Sequence, residues 1–306
     1  MPPAVDIVAA PWNLGLRPLA PGHEPGTWRA PSALLSAGLE ARLRPARVVE
    51  LDRPPYAFDP QPATRIRNGV TLRAYTLRLA DEVRTTLAAG RFPLVLGGDC
   101  SILLGCLLGA RRDGRCGLVH LDGHSDFRHP GNHDADASLG SAAGMDLALA
   151  TGRGELLLTH WPEVGRPLVA DRDVVQIGDR EGGEGGELPP GFRLTAGEIA
   201  HAEADDVAER VIRRLERRGL DRVWLHLDFD VLDERVLPAV DSPGSPGLDF
   251  PRLTRLVSAL VGTGRIIGLD AAIYNPELDP DGTYAAPLAD CLASALAPLT
   301  TVEVSP

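Results

Sequence analysis

Two short runs in this chain end apolar segments with alternating acids and imidazoles, and they constrain the fold more than any other feature. Asp122, His124 and Asp126 lie in LDGHSDF, after the run CGLV; Asp228 and Asp230 lie in HLDFDVLD, after the run RVWL. Such Val/Leu/Trp-rich runs predict buried strands. Side chains two apart on a strand share a face, so each group converges on one point if the extended geometry continues past the strand end. Four carboxylates and an imidazole aimed at one cavity repel one another unless cations neutralise them. The economical reading is a binuclear metal site with carboxylates shared between two divalent ions.

The surrounding segments alternate between strand-like and helix-like. Strands are expected at 5–11, 46–52, 93–98, 117–122, 173–178, 222–227 and 265–273. Helices are expected at about 63–89, 101–112, 138–151, 203–219, 249–262 and 284–296. This alternation predicts an α/β chain with a parallel sheet covered by helices on both faces. No internal repeat or linker divides the 306 residues, so one domain spanning 1–306 is expected. Ligands of open parallel sheets bind at the carboxyl ends of strands. The GGDC turn (97–100) and both acidic runs fall there.

Composition removes several function classes. A net charge of −11 leaves no concentrated basic patch for nucleic acid. The densest basic run, RRLERRG (213–219), sits on an expected helix and reads as a solvated face. No apolar stretch is long enough to span a bilayer, and the N-terminus lacks the pattern of a signal peptide. The scattered cysteines Cys100, Cys106, Cys116 and Cys291 suit reduced thiols, so a cytoplasmic protein is expected. All 31 basic residues are Arg, which excludes a Lys Schiff base or a P-loop lysine. No strand-associated Gly-x-Gly-x-x-Gly appears, nor a Gly-x-Ser-x-Gly elbow, so dehydrogenase and serine hydrolase readings are weak.

The ordered set GGDCS (97–101), DGHSD (122–126), HLDFDVLD (226–233), SPGSPG (242–247) and GLDAAIYNPELD (268–279) resembles the arginase/agmatinase ureohydrolase superfamily. APWNLG (10–15) and WRAPSALLSAGL (28–39) resemble its first strand, glycine-rich loop and following helix. The resemblance implies a three-layer α/β/α sandwich with a mostly parallel sheet of about eight strands. It further implies two Mn²⁺ ions, a trimeric or hexameric homo-oligomer and hydrolysis of guanidino or amidino C–N bonds in a small molecule. By resemblance Asp122 and Asp228 bridge the metals. Asp126 completes the first metal's shell; His124 and Asp230 complete the second's. A hydroxide held between the ions is the implied nucleophile, with Asp126 passing a proton to the leaving amine and His124 at its side.

Three departures qualify this. The family's first ligand is a His after Gly-Gly-Asp; here it is Cys100. A thiolate is soft and suits Zn²⁺ better than Mn²⁺, so another divalent metal, or one ion rather than two, is compatible with the sequence. Cys100 near the metal with weak or no ligation, true ligation, and a buried packing role all stay open. Ala143 replaces a His expected before Gly144, and His129 or His133 offers a substitute, with Asn132 beside them. Ile273 stands where arginases carry a guanidinium-binding Glu, and Asp270 lies three residues earlier. A cationic guanidinium would lose its counter-ion at Ile273.

These losses predict poor hydrolysis of L-arginine. They favour an N-hydroxyguanidine, a formimidoyl group, or another amidine or amide. A non-catalytic member that binds metal or ligand is the alternative. The specificity loops are expected at 11–31, 127–143 and 180–191.

Overall fold

The computed structural model describes residues 2–132, 139–183 and 186–300. Eight strands form one sheet: β1 Val5–Ala9, β2 Arg47–Glu50, β3 Phe92–Leu96, β4 Gly117–Leu121, β5 Val174–Ile177, β6 Phe192–Leu194, β7 Val223–Asp228 and β8 Ile266–Ala272. Their order is β2-β1-β3-β8-β7-β4-β5-β6. Every pairing is parallel, so the expected mostly parallel sheet is here parallel throughout. Strands β1, β3, β4, β5 and β7 are buried along their whole length, as a sheet covered on both faces requires. Edge strand β2 alternates between half-buried and exposed residues.

Helices Gly69–Ala88 and Leu103–Arg111 pack together in one layer. Helices Ala204–Arg217, Phe250–Gly262 and Ala285–Ala295 pack together in the other. Val207, Ala208, Val211 and Leu215 show how the sequence sets this. They recur at helical spacing and are all buried, while the arginines between them are half-buried or exposed. No helix among the described residues is long and apolar enough to cross a membrane.

Three expectations shift. β6 was not foreseen, because three residues at a sheet edge show no periodicity. The helix expected over 63–89 begins at Gly69. Asn68, with φ 56°, turns the chain and accepts a hydrogen bond from the Ala57 N–H, holding residues 57–68 as a loop. The helix expected over 138–151 shrinks to Asp146–Ala150 after a single turn at Ala143–Met145, since Gly144 leaves helical geometry. Residue 138 lies outside the described residues, as do parts of the loops at 127–143 and 180–191.

The strand order brings the carboxyl ends of β3, β8, β7 and β4 side by side. The amino ends of the strands are held by separate ionic clusters. At the start of β5 Asp173 is 2% exposed and accepts from Arg115 (2.8 and 2.7 Å) and Arg218 (3.2 and 3.1 Å). Burial opposes its charge, but the hydrogen bonds and charges of both guanidinium groups hold the carboxyl below its ordinary range. Such a group stabilises the fold above its unfolded pKa of about 4, and that stabilisation is lost as pH falls through the lower folded value. Asp173→Asn should cost about 2 kcal/mol in urea unfolding at pH 7. The gap to the parent protein should shrink as the pH is taken below about 4. A gap that is constant with pH would show that the arginines do not act through the Asp173 charge.

Candidate metal centre

The first wall of the site is the turn after β3. A Cβ on Gly98 would lie 1.5 Å from the Trp12 carbonyl oxygen, so only glycine lets the two backbones pass. Asp99 then fixes the turn. It is fully buried and accepts from the N–H groups of Gly15 and Ser101, both at 2.9 Å. Cys100 follows, 3% exposed, with its Sγ 2.7 Å from Asp228 Oδ2.

Asp122 and Asp228 stand at the ends of adjacent strands and cap their own turns in the same way. Asp122 Oδ1 accepts from His124 N–H at 2.7 Å, and Asp228 Oδ1 accepts from Asp230 N–H at 2.7 Å. Convergence therefore does not come from extended chain continuing past the strands, as the sequence pattern implied. The backbone leaves the strand, and Asp126 adopts a left-handed φ of 44°. Asp tolerates that region through its short polar side chain.

The four acids and the imidazole of the two motifs do come together. Asp122, Asp126, Asp228 and Asp230 are at most 9% exposed. His124 Nδ1 lies 2.8 Å from Asp230 Oδ2 and 3.7 Å from Asp122 Oδ1. Burial first, and then the repulsion of the neighbouring carboxylates, pushes Asp122, Asp126 and Asp228 well above the ordinary carboxylate range. Burial also acts on Asp230, but its hydrogen bond with His124 and the charges of His124 and Arg180 hold it below that range. The Cys100 thiol is pushed well up by burial and then by Asp228, Asp126 and Asp122.

This donor set fits divalent cations. Asp122 Oδ2 is buried without a hydrogen-bond partner. One ligand atom each from Asp122, His124 and Asp230 falls within 4.8 Å of the other two. Carboxylate-rich sites with an imidazole suit Mn²⁺ or Zn²⁺, and a buried thiol beside them tilts the choice toward the softer ion.

The pocket above these groups has a volume of about 380 Å³. Cys100, His124, Asp126, Asp228 and Asp230 form its floor, and Ala143 and Ile273 are in its lining. Ile273 is 3% exposed with a φ of 71°, a strained conformation for a β-branched residue, and its N–H donates to Gly98 O at 2.7 Å. Arg17, Arg128, Glu181 and Asp241 also line it. Burial, then the Asp99 and Asp230 charges, raises Asp241 to about 6.

Three residues expected as substrate contacts lie elsewhere. Asp270 is fully buried and accepts from Trp224 Nε1 (2.5 Å) while pairing with His226 Nδ1 (2.6 Å), so it is committed beneath the site. His129 pairs with Glu187 at 3.0 Å, and Asn132 braces the loop by bonding to His129 N and Phe127 O. Neither residue lines the pocket. His133 lies outside the described residues.

Sequence reasoning passed over Glu181 and Asp241, which sit in loops without a motif. It also passed over His120, His226 and Asp146, which form a buried layer under the floor. A signal for two of these was present. The tripeptide His-Leu-Asp closes both β4 and β7, so His120 and His226 share a sheet face with the acids two residues on.

The Arginase family model matches residues 4–297. An arginase from Bacillus caldovelox is 31% identical over 289 residues, covering 90% of this chain and 92% of that protein. A formimidoylglutamase from Aeromonas salmonicida is 28% identical over 225 residues, covering 70% of this chain and 65% of that protein. The crystal structure of arginase from Bacillus cereus superposes with a TM-score of 0.81 at 26% identity, covering 96% of this chain and 98% of that one. The chain belongs to the arginase family, whose members are hydrolases of C–N bonds other than peptide bonds.

Proposed function

We propose that this protein is a metal-dependent hydrolase of a linear amidine, N-hydroxyguanidine or formimidoyl compound, and a poor L-arginine hydrolase. The observation that carries the substrate reading is Ile273. It puts an apolar side chain in the pocket lining at the position where the family resemblance calls for a carboxylate. Asp270 does not replace that charge, being bound to Trp224 and His226. A desolvated guanidinium without a carboxylate partner at this position is disfavoured, whereas an N-hydroxyguanidine, a weaker base, or a formimidoyl group, with one nitrogen fewer to pair, loses less there.

Asp122, His124, Asp126, Asp228 and Asp230, with Cys100, would hold the divalent ions. Bound ions of this kind supply Lewis acidity and lower the pKa of water toward neutrality. The protein's own part is to place and protonate. Asp126, in the pocket lining, hands a proton to the departing nitrogen. Ala143 and Ile273 exclude water from the side of the reacting carbon. Arg17 and Arg128 offer positive charge to a carboxylate elsewhere on the substrate. Family membership supports a homo-oligomer, trimeric or hexameric, acting on a small molecule in the cytoplasm.

The test is a steady-state comparison of the Mn²⁺- and Zn²⁺-loaded protein on matched substrates. N-formimidoyl amino acids and N-hydroxyguanidines should exceed arginine and agmatine in kcat/KM by about a hundredfold. Comparable or faster release of urea from arginine would overturn the substrate reading.

A further inference from the structure

A polar row crosses the middle of the sheet directly beneath the candidate metal centre. Gln176, His120, His226 and Asp270 are register partners on β5, β4, β7 and β8. All four are fully buried. The rings of His120 and His226 stack with centroids 4.8 Å apart. Asp146, also fully buried, completes the cluster from the start of its short helix. Polar side chains in a sheet interior are costly unless satisfied. This row is only half satisfied.

Its orphaned atoms converge. His226 Nδ1 is engaged by Asp270 at 2.6 Å, and Asp270 is fixed by Trp224. That leaves His226 Nε2 buried without a hydrogen-bond partner. Asp146 Oδ2 is likewise unpartnered and lies 3.6 Å from His226 Nε2, too far for a hydrogen bond. A ligand atom from each of Cys100, His226 and Asp228 falls within 4.8 Å of the others, and the same holds for His120, Asp146 and His226. Ligands about 2.0–2.1 Å from a tetrahedral ion sit about 3.3–3.4 Å from one another. The 3.6 Å gap between His226 and Asp146, and the 3.2 Å between His120 Nε2 and Asp146 Oδ1, are close to that spacing.

The carboxylate behind the imidazole is the second clue. Metal-bound histidines commonly donate their other N–H to a carboxylate, which fixes the tautomer and aims the lone pair at the ion. Asp270 does this for His226.

We infer that His226 Nε2, Cys100 Sγ and Asp228 form a cation site one residue layer deeper than the His124/Asp230 site, with Asp146 beside His226 as a further carboxylate, and that its S/N/O donors select Zn²⁺ over Mn²⁺. The imidazole missing at position 100 is thus supplied from β7, two residues before Asp228. The inference rests on reading the site as a metal centre but not on which bond is hydrolysed. A thiolate and an imidazole bind the softer ion better, while the His124/Asp230 end, without sulfur, accepts either.

The experiment strips the purified full-length protein with chelator and titrates it with Zn²⁺ alone and Mn²⁺ alone. Bound metal is counted by mass spectrometry, and the zinc shell is read by X-ray absorption. Two Zn²⁺ per chain are expected, one with sulfur at about 2.3 Å. His226→Ser and Asp146→Asn should each weaken one of the two zinc sites by about a hundredfold or abolish it. The double variant Cys100→His with His226→Ser, which returns an imidazole to the turn after β3, should regain the second ion and bind Mn²⁺ more tightly.

Folded His226→Ser protein that keeps two zinc ions at parental affinity would overturn the inference and leave the hydrolase reading standing. A parental zinc shell without sulfur does the same, and needs no variant to fold. Parental protein that takes up neither ion overturns both.

Discussion

Asp228→Asn should abolish turnover while raising the thermal stability of the metal-free protein. Asp228 is the residue on which the site hinges. It touches Cys100 Sγ at 2.7 Å and Asp230 N–H at 2.7 Å, and the other acids repel it across a buried floor. With cations bound, its charge is needed to hold them. The expected loss in kcat is at least about a thousandfold, or about 4 kcal/mol of transition-state stabilisation. Without cations the same charge is a liability, because burial and like charges disfavour it. The metal-free variant should therefore melt above the metal-free parent. The order should reverse with Zn²⁺ or Mn²⁺ present, since an ion at a thousand times its Kd stabilises the parent by about 4 kcal/mol. Scanning calorimetry with chelator and with each ion measures all four states. A variant less stable than the parent in chelator would show that Asp228 serves the fold rather than a cation.

The crossing of those two stability orders follows from features that were legible in the sequence to different degrees. The two acidic motifs were readable because strand, ligand and spacing lie within a few residues of one another. The order of the strands was not, because no local pattern says that β8 inserts between β3 and β7. That order brings Ile273, Cys100 and Asp228 into one pocket although they lie far apart in the chain. Asp270 shows the opposite failure. Its position beside a motif suggested a substrate contact, yet it faces inward, where Trp224 and His226 claim both oxygens. Burial direction on β8 depends on the neighbour it pairs with, which the sequence of β8 alone does not contain. Asp146 was invisible for a related reason. It lies on a five-residue helix, too short for a periodic signal, and acquires meaning only through the strands above which it sits.

Substituting Ile273→Glu should move specificity toward cationic guanidines. Ile273 occupies the left-handed region at φ 71°, where a branched Cβ is disfavoured, so an unbranched Glu relieves strain that is of the order of 1–3 kcal/mol. Against this stands the cost of burying a carboxylate at a site 3% exposed. A bound guanidinium offsets that cost through a charge-assisted, bidentate contact, whereas a formimidoyl group, with one nitrogen fewer, offers fewer N–H donors to it. The ratio of kcat/KM for agmatine or arginine over that for an N-formimidoyl substrate should rise by a hundredfold to a thousandfold, or about 3–4 kcal/mol. Agmatine should also raise the melting temperature of the variant more than that of the parent, a binding readout independent of turnover. Asp241 remains in the same pocket in both proteins. If it already supplied the counter-charge for a guanidinium, the parent would bind agmatine as tightly as the variant does, and the ratio would not move. An unchanged ratio in folded, metal-loaded variant would therefore transfer the specificity role from Ile273 to Asp241 and sink the proposal that Ile273 turns the pocket away from guanidines.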